Sequence, residues 1–222
     1  MKPRLSNRKT AALTLMEVLV IIAVLAVVVA VFLPEFAPAK KRTTKIDCVN
    51  NLKQISLAFR IWSVDNGDKY PMEVPVTNGG AMEFAALGNA VAIFQVISNE
   101  LSTPKVLICP SDTKRRYATN FSGALSTNNI SYFVGLDANT DSPKTFLSGD
   151  RNIVILGGIM KNGVIEITTK NPVGWSSELH GGFGNIAFPD GTVHRTESRG
   201  TSWNLRDLIR KTGLATNRLA IP

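Results

Sequence analysis

The sequence predicts an α+β fold, in which a long N-terminal helix packs on a small antiparallel β-sheet. Residues 13–33 form one apolar run of 21 residues, and apolar residues then recur at helical spacing as far as position 62. Short β-like runs follow only in the second half of the chain. This order, a helix first and strands later, is typical of α+β folds. The 222 residues suffice for one domain plus an appendage.

The positive charge of the chain is concentrated near its start. Residues 1–12 carry four basic side chains and no acid, so they supply four of the eight net positive charges, and residues 13–222 retain +4. A second basic cluster lies at residues 40–45, just past the apolar run. The high charge therefore gives little support to nucleic-acid binding, and nucleic acid is not an expected partner.

A basic start before an apolar run is typical of either a secretory signal peptide or a membrane helix. The apolar part of a signal peptide spans about 7–15 residues and ends in a cleavage site of small residues. Here the run has 21 residues, enough to cross a bilayer, and Pro34 and the basic cluster follow it. The sequence therefore predicts one transmembrane helix over residues 13–33, with the basic N-terminus in the cytoplasm.

Glu17 places a carboxylate inside the apolar run. An ionisable side chain in a membrane segment is energetically costly and usually has both a partner and a function. Cleavage between Ala12 and Leu13 would create a free α-amino group on Leu13, which in a neighbouring subunit could pair with Glu17. The alternative is an accidental polar residue in a membrane anchor.

Residues 12–17, which read Ala-Leu-Thr-Leu-Met-Glu, resemble the processing and methylation motif of type IV prepilins and type II secretion pseudopilins. The usual motif has glycine and phenylalanine where this chain has Ala12 and Leu13. The resemblance implies that residues 1–12 are a leader peptide, that a prepilin peptidase cleaves after Ala12, and that Leu13 is then N-methylated. It also implies that Glu17 directs assembly.

The resemblance further implies a pilin-like fold. Its long helix would cover residues 13–65, with a transmembrane first half and a kink at Pro34. A periplasmic α+β domain would follow over residues 66–222. Three further segments also resemble prepilin-like proteins: residues 48–55, 64–71 and 107–112.

The function that this resemblance implies is structural and not enzymatic. The chain would be a single-pass pseudopilin of the bacterial inner membrane, with a periplasmic C-terminal domain, that joins a filament after processing and drives protein export. Its implied partners are the prepilin peptidase, other pilin or pseudopilin subunits, the inner-membrane secretion platform and the lipid bilayer.

Two alternative functions remain open. The first is a minor type IV pilin or a membrane-tethered module that binds a substrate, a glycan or DNA, in a groove lined by aromatics such as Trp175, Phe183 and Trp203. The second is a tethered hydrolase that uses His180 and Asp190 together with a nucleophile or a metal.

The second half of the long helix and the domain after it follow from hydrophobic spacing. The helix presents one apolar face and closes at Asp65-Asn66-Gly67, where the glycine suits a helix end. A second helix is expected over residues 81–99 and a short final helix over 203–211, ended by Gly213. The last two predicted strands pair across the turn at 189–191. The residues of the apolar face are Ile46, Val49, Leu52, Ile55, Phe59 and Trp62, and the predicted strands are 130–136, 153–156, 164–168, 186–188 and 192–196.

The chain has two cysteines, Cys48 and Cys109. Two cysteines form neither a disulfide framework nor a metal cluster. In an oxidising periplasm they could form one bridge, which the polar residues beside both favour. The loop would enclose roughly 60 residues and stabilise the fold by about 4 kcal/mol. The alternative is a pair of buried thiols.

His180 and the Asp190-Gly191 pair resemble the signature of a prepilin-associated C-terminal domain, a histidine followed after nine residues by Asp-Gly. The preferred interpretation is a hairpin in which His180 and Asn185 hydrogen-bond to nearby backbone and Asp190 shapes the turn. The alternative is a metal site formed by His180, Asp190 and another acid, but two possible ligands do not make a site.

The sequence predicts no cofactor firmly. Calcium is the one ion for which it offers candidate ligands. Major pseudopilins often hold calcium in a later loop, and oxygen-rich loops suit that ion. The candidates here are Asp65 and Asp68, with Asn66 between them, but a capping and turn role explains them better. A second oxygen-rich stretch is an equally weak candidate for calcium. It consists of Asp137, Asn139, Asp141 and Asp150.

Overall fold

The computed structural model describes residues 14–155, 162–197 and 204–222, without the side chains of residues 31–45. The chain divides into two compact units, Met1–Thr43 and Thr44–Pro222. The predicted cleavage site at Ala12 and Leu13 lies outside the described residues, and Pro34, where a kink is predicted, is described by its backbone alone.

Helix α1 spans Leu15–Asp65, and a capping box closes its N-terminus. The Glu17 carboxylate accepts hydrogen bonds from the Thr14 backbone N–H and hydroxyl, at 2.8 and 2.9 Å. In return, the Glu17 N–H donates to the Thr14 hydroxyl oxygen at 3.3 Å. This reciprocal pair satisfies donors that the first helical turn leaves without partners. Glu17 therefore has a structural role in its own chain.

The predicted transmembrane first half of the helix is wrong. Within the described residues, no helix combines the length and the apolar character needed to cross a bilayer. The described fold is α+β with an antiparallel sheet. This replaces the predicted pilin-like fold, in which the first half of the long helix crosses the membrane.

In the second unit, the remaining part of α1 packs as its spacing predicts. Its apolar face is buried in the core of that unit, whereas Ile46 is 53% exposed. The helix ends at Asp65, and Gly67 follows in the left-handed region with φ of 67°. Of the predicted residues, Leu52, Ile55, Phe59 and Trp62 are buried and Val49 is half-buried, and Cys48, which was not predicted, is buried with them.

The single helix predicted over residues 81–99 is three short helices: α2 (Met82–Ala86), α3 (Ala90–Val96) and α4 (Ser98–Leu101). The first break falls at Gly88, which has φ of 68° and whose hydrogen faces the backbone of Val164. A side chain at this position would collide with that strand. The last helix, α5 (Leu205–Lys211), begins inside the predicted range and is followed by Gly213. The described residues also form four 3₁₀ turns, at Pro71–Glu73, Val76–Asn78, Pro104–Leu107 and Thr127–Asn129.

The described chain contains a six-stranded sheet of order β4-β8-β1-β2-β6-β7 and a two-stranded sheet of β3 and β5, with every pairing antiparallel. Five strands fall at predicted positions. The sequence analysis predicts none of β2, β5 and β8. In β2, Ser-Gly-Asp offers no β-branched or aromatic residue. The strands are β1 (Tyr132–Gly135), β2 (Ser148–Asp150), β3 (Ile153–Ile155), β4 (Gly163–Ile167), β5 (Val173–Trp175), β6 (Phe183–Ala187), β7 (Val193–Glu197) and β8 (Asn217–Ile221).

The large sheet separates two hydrophobic layers of the second unit. Alternate residues of a strand face opposite sides, and Tyr132 and Val134 of β1 belong to the layer formed with α1. Phe133 belongs to the other layer, with α5 and the small sheet. The side of the large sheet that faces α1 carries the site described next.

Candidate functional site

A buried polar cluster lies where α1, the segment after the third 3₁₀ turn, the end of β2 and the loop before β6 meet. Cys48 and Cys109 form a disulfide here, with their Cα atoms 5.0 Å apart. The Nε2 atom of His180 lies 3.4 Å from the Cys109 sulfur and 3.3 Å from the Asp150 Oδ2 atom. We call these four residues the disulfide–histidine cluster. This confirms the predicted bridge and excludes the alternative of two buried thiols.

Local structure explains how the cluster is assembled. Cys48 belongs to the buried face of α1, and Asp150 is the last residue of β2. His180 is followed by Gly181 and Gly182, both with positive φ, at 68° and 89°. Two consecutive left-handed residues are strained for any amino acid except glycine. They turn the chain sharply into β6 and leave His180 buried.

Asp150 is fully buried, and its two oxygens have different surroundings. Oδ2 accepts hydrogen bonds from the backbone N–H and the side-chain amide of Asn185, at 2.7 and 2.8 Å. Oδ1 has no hydrogen-bond partner among the described residues. Tyr132 lies opposite Asp150 in the sheet. Burial, and then the charge of Asp150, raises the pKa of Tyr132 well above its ordinary value.

An ion-pair network adjoins the disulfide–histidine cluster. The Arg151 guanidinium binds both oxygens of Asp112, at 2.7 and 2.9 Å, and Glu178 at 2.8 Å. Ser131 also donates to Asp112, at 2.9 Å. Burial alone raises the pKa of Asp112, but hydrogen bonds from Arg151 and Ser131 and the Arg151 charge outweigh it, so the pKa is lowered. Lys114 binds Glu178 from the solvent side.

The geometry does not support a catalytic triad. In such a triad one histidine nitrogen binds the nucleophile and the other binds the carboxylate. Here the same atom, Nε2 of His180, lies beside both Cys109 and Asp150. In addition, the Cys109 sulfur is bonded to Cys48 and cannot act as a nucleophile.

The two residues of the His-Asp-Gly signature have separate partners. Asp190 accepts hydrogen bonds from the N–H and the hydroxyl of Thr192, at 2.8 and 2.7 Å, and so shapes the turn between β6 and β7. Among the described residues, His180 contacts the side chains of Cys109 and Asp150, and the side-chain amide of Asn185 donates to Asp150. The interpretation of Asp190 as a turn residue is consistent with these contacts, and the interpretation of His180 and Asn185 is corrected.

Substitution of both signature residues is expected to give additive effects on stability. Asp190→Ala removes two turn hydrogen bonds and should lower the free energy of unfolding by about 1 kcal/mol. Because the partners differ, the loss in the His180→Ala, Asp190→Ala double variant should equal the sum of the single losses within about 0.5 kcal/mol. Urea denaturation measures all three. A coupling energy above about 1 kcal/mol would instead place the two residues in one site.

Several of the oxygen-rich candidates for calcium have partners within the protein. Asn66 donates to the Trp62 carbonyl at 2.8 Å, and the Asp68 carbonyl accepts from Thr140 at 2.6 Å. Asp137 binds Arg218 by two hydrogen bonds from the guanidinium. Asp150 belongs to the disulfide–histidine cluster. In the described part of the chain, the metal-type donors that come together are those of Cys48, Cys109 and His180.

Two of the three aromatic residues predicted to line a binding groove pack against other side chains of the described structure. Trp175 is buried, and its indole N–H donates to the Thr196 hydroxyl at 2.8 Å. The Arg195 guanidinium lies over the Phe183 ring, and its Cζ atom is 4.2 Å from the ring centroid. Trp203 lies outside the described residues.

Sequence patterns do not reveal Asp150 and Arg151 as partners of His180 and Asp112, because residues from distant parts of the chain meet only after folding.

Comparison with protein-family models, with curated proteins and with solved structures gives no match to this chain. The functional inference therefore rests on the residues themselves.

Proposed function

We propose that this chain is a structural subunit, a type II secretion pseudopilin that assembles through its N-terminal helix into a periplasmic filament that drives protein export. The supporting observation is the exposure of the apolar residues at the start of α1. Their exposed fractions range from 40% at Val18 to 79% at Leu15. The residues concerned are Leu15, Met16, Val18, Leu19, Val20, Ile21, Ile22, Val24, Leu25, Val27, Val28 and Val29.

A contiguous apolar surface of this extent marks a site of interaction. Apolar residues surround the whole helix and do not form a single stripe, which suits the interior of a helix bundle. Helices from neighbouring copies would cover this surface and gain the free energy of removing it from water.

Glu17 would direct the addition of each new subunit. The capping box holds its carboxylate at the N-terminal end of the helix. Cleavage after Ala12 would give a neighbouring chain a free amine on Leu13, and the two charges would pair at low dielectric. Loss of one partner of such a desolvated pair costs about 2–5 kcal/mol, because the other charge is left buried and unpaired.

Glu17→Gln is expected to reduce filament incorporation more than ten-fold, as 1.4 kcal/mol corresponds to a factor of ten. Glutamine can retain a capping box but carries no charge. Incorporation is measured as the fraction of variant chain in purified filaments when it is co-expressed with the wild type. Thr14→Ala is the matched control, since it breaks the box and keeps the charge. Normal incorporation of Glu17→Gln would refute the proposed pairing.

The proposed maturation predicts a specific N-terminus. Mass spectrometry of the protein from cells that contain the prepilin peptidase should find a chain that begins at methylated Leu13. Cells without the peptidase should retain residues 1–12. If the leader remains in both, the chain is not processed as a prepilin, and the structural proposal fails at its first step.

A further inference from the structure

The disulfide–histidine cluster contains the donor atoms of a metal site. The two cysteine sulfurs and a ring nitrogen of His180 lie within 4.8 Å of one another. All three residues are buried, and the buried carboxylate of Asp150, which is not one of these three donors, lies beside the His180 ring. Two sulfurs, one imidazole and one carboxylate are ligands that Zn²⁺ accepts in tetrahedral sites.

The distances around His180 fit tetrahedral coordination. With ordinary zinc–ligand bond lengths, a sulfur and a nitrogen ligand lie about 3.6 Å apart, and an oxygen and a nitrogen ligand about 3.4 Å apart. The Nε2 atom lies 3.4 Å from the Cys109 sulfur and 3.3 Å from the Asp150 Oδ2 atom. The sulfur is thus already at a ligand–ligand separation from Nε2, and Asp150 approaches the same nitrogen with the oxygen that Asn185 also binds, which leaves Oδ1 as its ligand atom.

Asp150 provides an independent indication of a cation. A fully buried carboxylate is costly unless it is paired, and its Oδ1 atom has no partner among the described residues. Two hydrogen bonds from Asn185 hold its other oxygen in place, as outer-shell groups do for carboxylate ligands. Zn²⁺ would neutralise this charge.

We propose that reduction of the Cys48–Cys109 disulfide creates a Zn²⁺ site whose ligands are Cys48, Cys109, His180 and Asp150. A dithiol reductant supplies two electrons, becomes a disulfide itself, and leaves two protein thiols. Binding of Zn²⁺ then displaces two thiol protons, since thiolates are the ligands. The same sulfurs either bond to each other or bind the metal, so the cluster has two exclusive covalent states. This proposal does not depend on the filament function.

The test compares the full chain in its disulfide and reduced forms. A phosphine reductant opens the disulfide, a chelator removes metal, and the chain is titrated with Co²⁺ and then with Zn²⁺ as a competitor. The reduced form should bind one Co²⁺ with a thiolate charge-transfer band and tetrahedral d–d bands, and Zn²⁺ should abolish both. The disulfide form should show neither band. A folded reduced chain without these bands, or equal binding by both forms, would overturn the proposal.

Variants separate the four ligands from nonspecific binding. His180→Gln and Asp150→Asn each remove a proposed ligand, so both should weaken Co²⁺ binding by more than the about 10–100-fold that loss of an outer-shell partner costs. His194→Gln is the matched control, because His194 is the other histidine and packs on the Phe188 ring. If His194→Gln weakens binding as strongly as His180→Gln, the site is not this cluster.

Loss of the disulfide could itself unfold the chain, so circular dichroism accompanies each titration. If the reduced chain is unfolded without metal, Zn²⁺ should restore its helical signal, as it does in domains that fold on metal binding. A reduced chain that stays unfolded with Zn²⁺ present would overturn the proposal.

Discussion

Replacement of Cys48 and Cys109 together with alanine is expected to lower the free energy of unfolding by about 4 kcal/mol. The bridge joins residues that are 61 positions apart, and it ties α1 to the segment that precedes β1. A cross-link stabilises mainly by restricting the unfolded chain, and the effect grows with the length of the closed loop. Urea denaturation, with a chelator present so that metal does not contribute, measures the loss.

The single variant Cys48→Ala provides the matched control for this prediction. It should lose nearly as much stability as the double variant, because either substitution removes the cross-link. Reduction of the wild-type chain under the same conditions should give a similar loss. A decrease below about 1 kcal/mol in all three would mean that the bridge does not restrict the unfolded chain as the loop-entropy account requires.

Arg151→Ala is expected to destabilise the fold by about 3–5 kcal/mol, because it leaves a buried carboxylate without its cation. The Asp112 side chain is fully buried and that of Arg151 is 10% exposed. Arg210→Ala is the matched control, since its pair with Asp207 is 60% and 37% exposed and should contribute at most about 1 kcal/mol. Thermal or urea unfolding measures both. Equal losses in the two variants would contradict the role of burial.

The effect of Arg151→Ala should depend on pH. The pKa of Asp112 is lowered in the folded protein, so the stabilisation from this pair is complete above the ordinary carboxyl pKa of about 4. It is lost as the pH falls through the lowered folded value, where Asp112 becomes protonated. The difference between wild type and Arg151→Ala should therefore shrink in acid. A difference that stays constant down to that range would assign the loss to packing alone.

A second variant keeps this prediction measurable if Arg151→Ala fails to fold. Replacement of both partners, as Asp112→Asn with Arg151→Met, removes both charges and keeps similar side-chain volume. Substitution of a whole buried ion pair by neutral residues is often tolerated. The double variant should therefore be more stable than Arg151→Ala.

Local patterns in the sequence predict several elements correctly because their causes are local. The spacing of Leu52, Ile55 and Phe59 predicts the buried face of α1, since each of them meets the core at successive turns. The turn at 189–191 predicts the hairpin of β6 and β7, since Asp190 forms its hydrogen bonds within two residues.

Other features depend on contacts between distant segments, and the sequence patterns miss them. β2 is polar and short, and it is a strand because β1 and β6 pair with it on both sides. The helix predicted over 81–99 is broken at Gly88, where the backbone of Val164 approaches. The apolar run at 13–33 predicts a membrane helix from composition alone. The described structure contains no helix that is both long enough and apolar enough to cross a bilayer.

The sequence by itself determined the α+β order of elements, the apolar face of α1, the hairpin turn and the cysteine pair available for one bridge. Each of these follows from residue type and short-range spacing, which act within a few residues along the chain. Only the tertiary structure decided that His180 contacts both Cys109 and Asp150, and that Arg151 neutralises Asp112. Those positions depend on which strands pair in the sheet, and strand pairing is set by packing across the whole core.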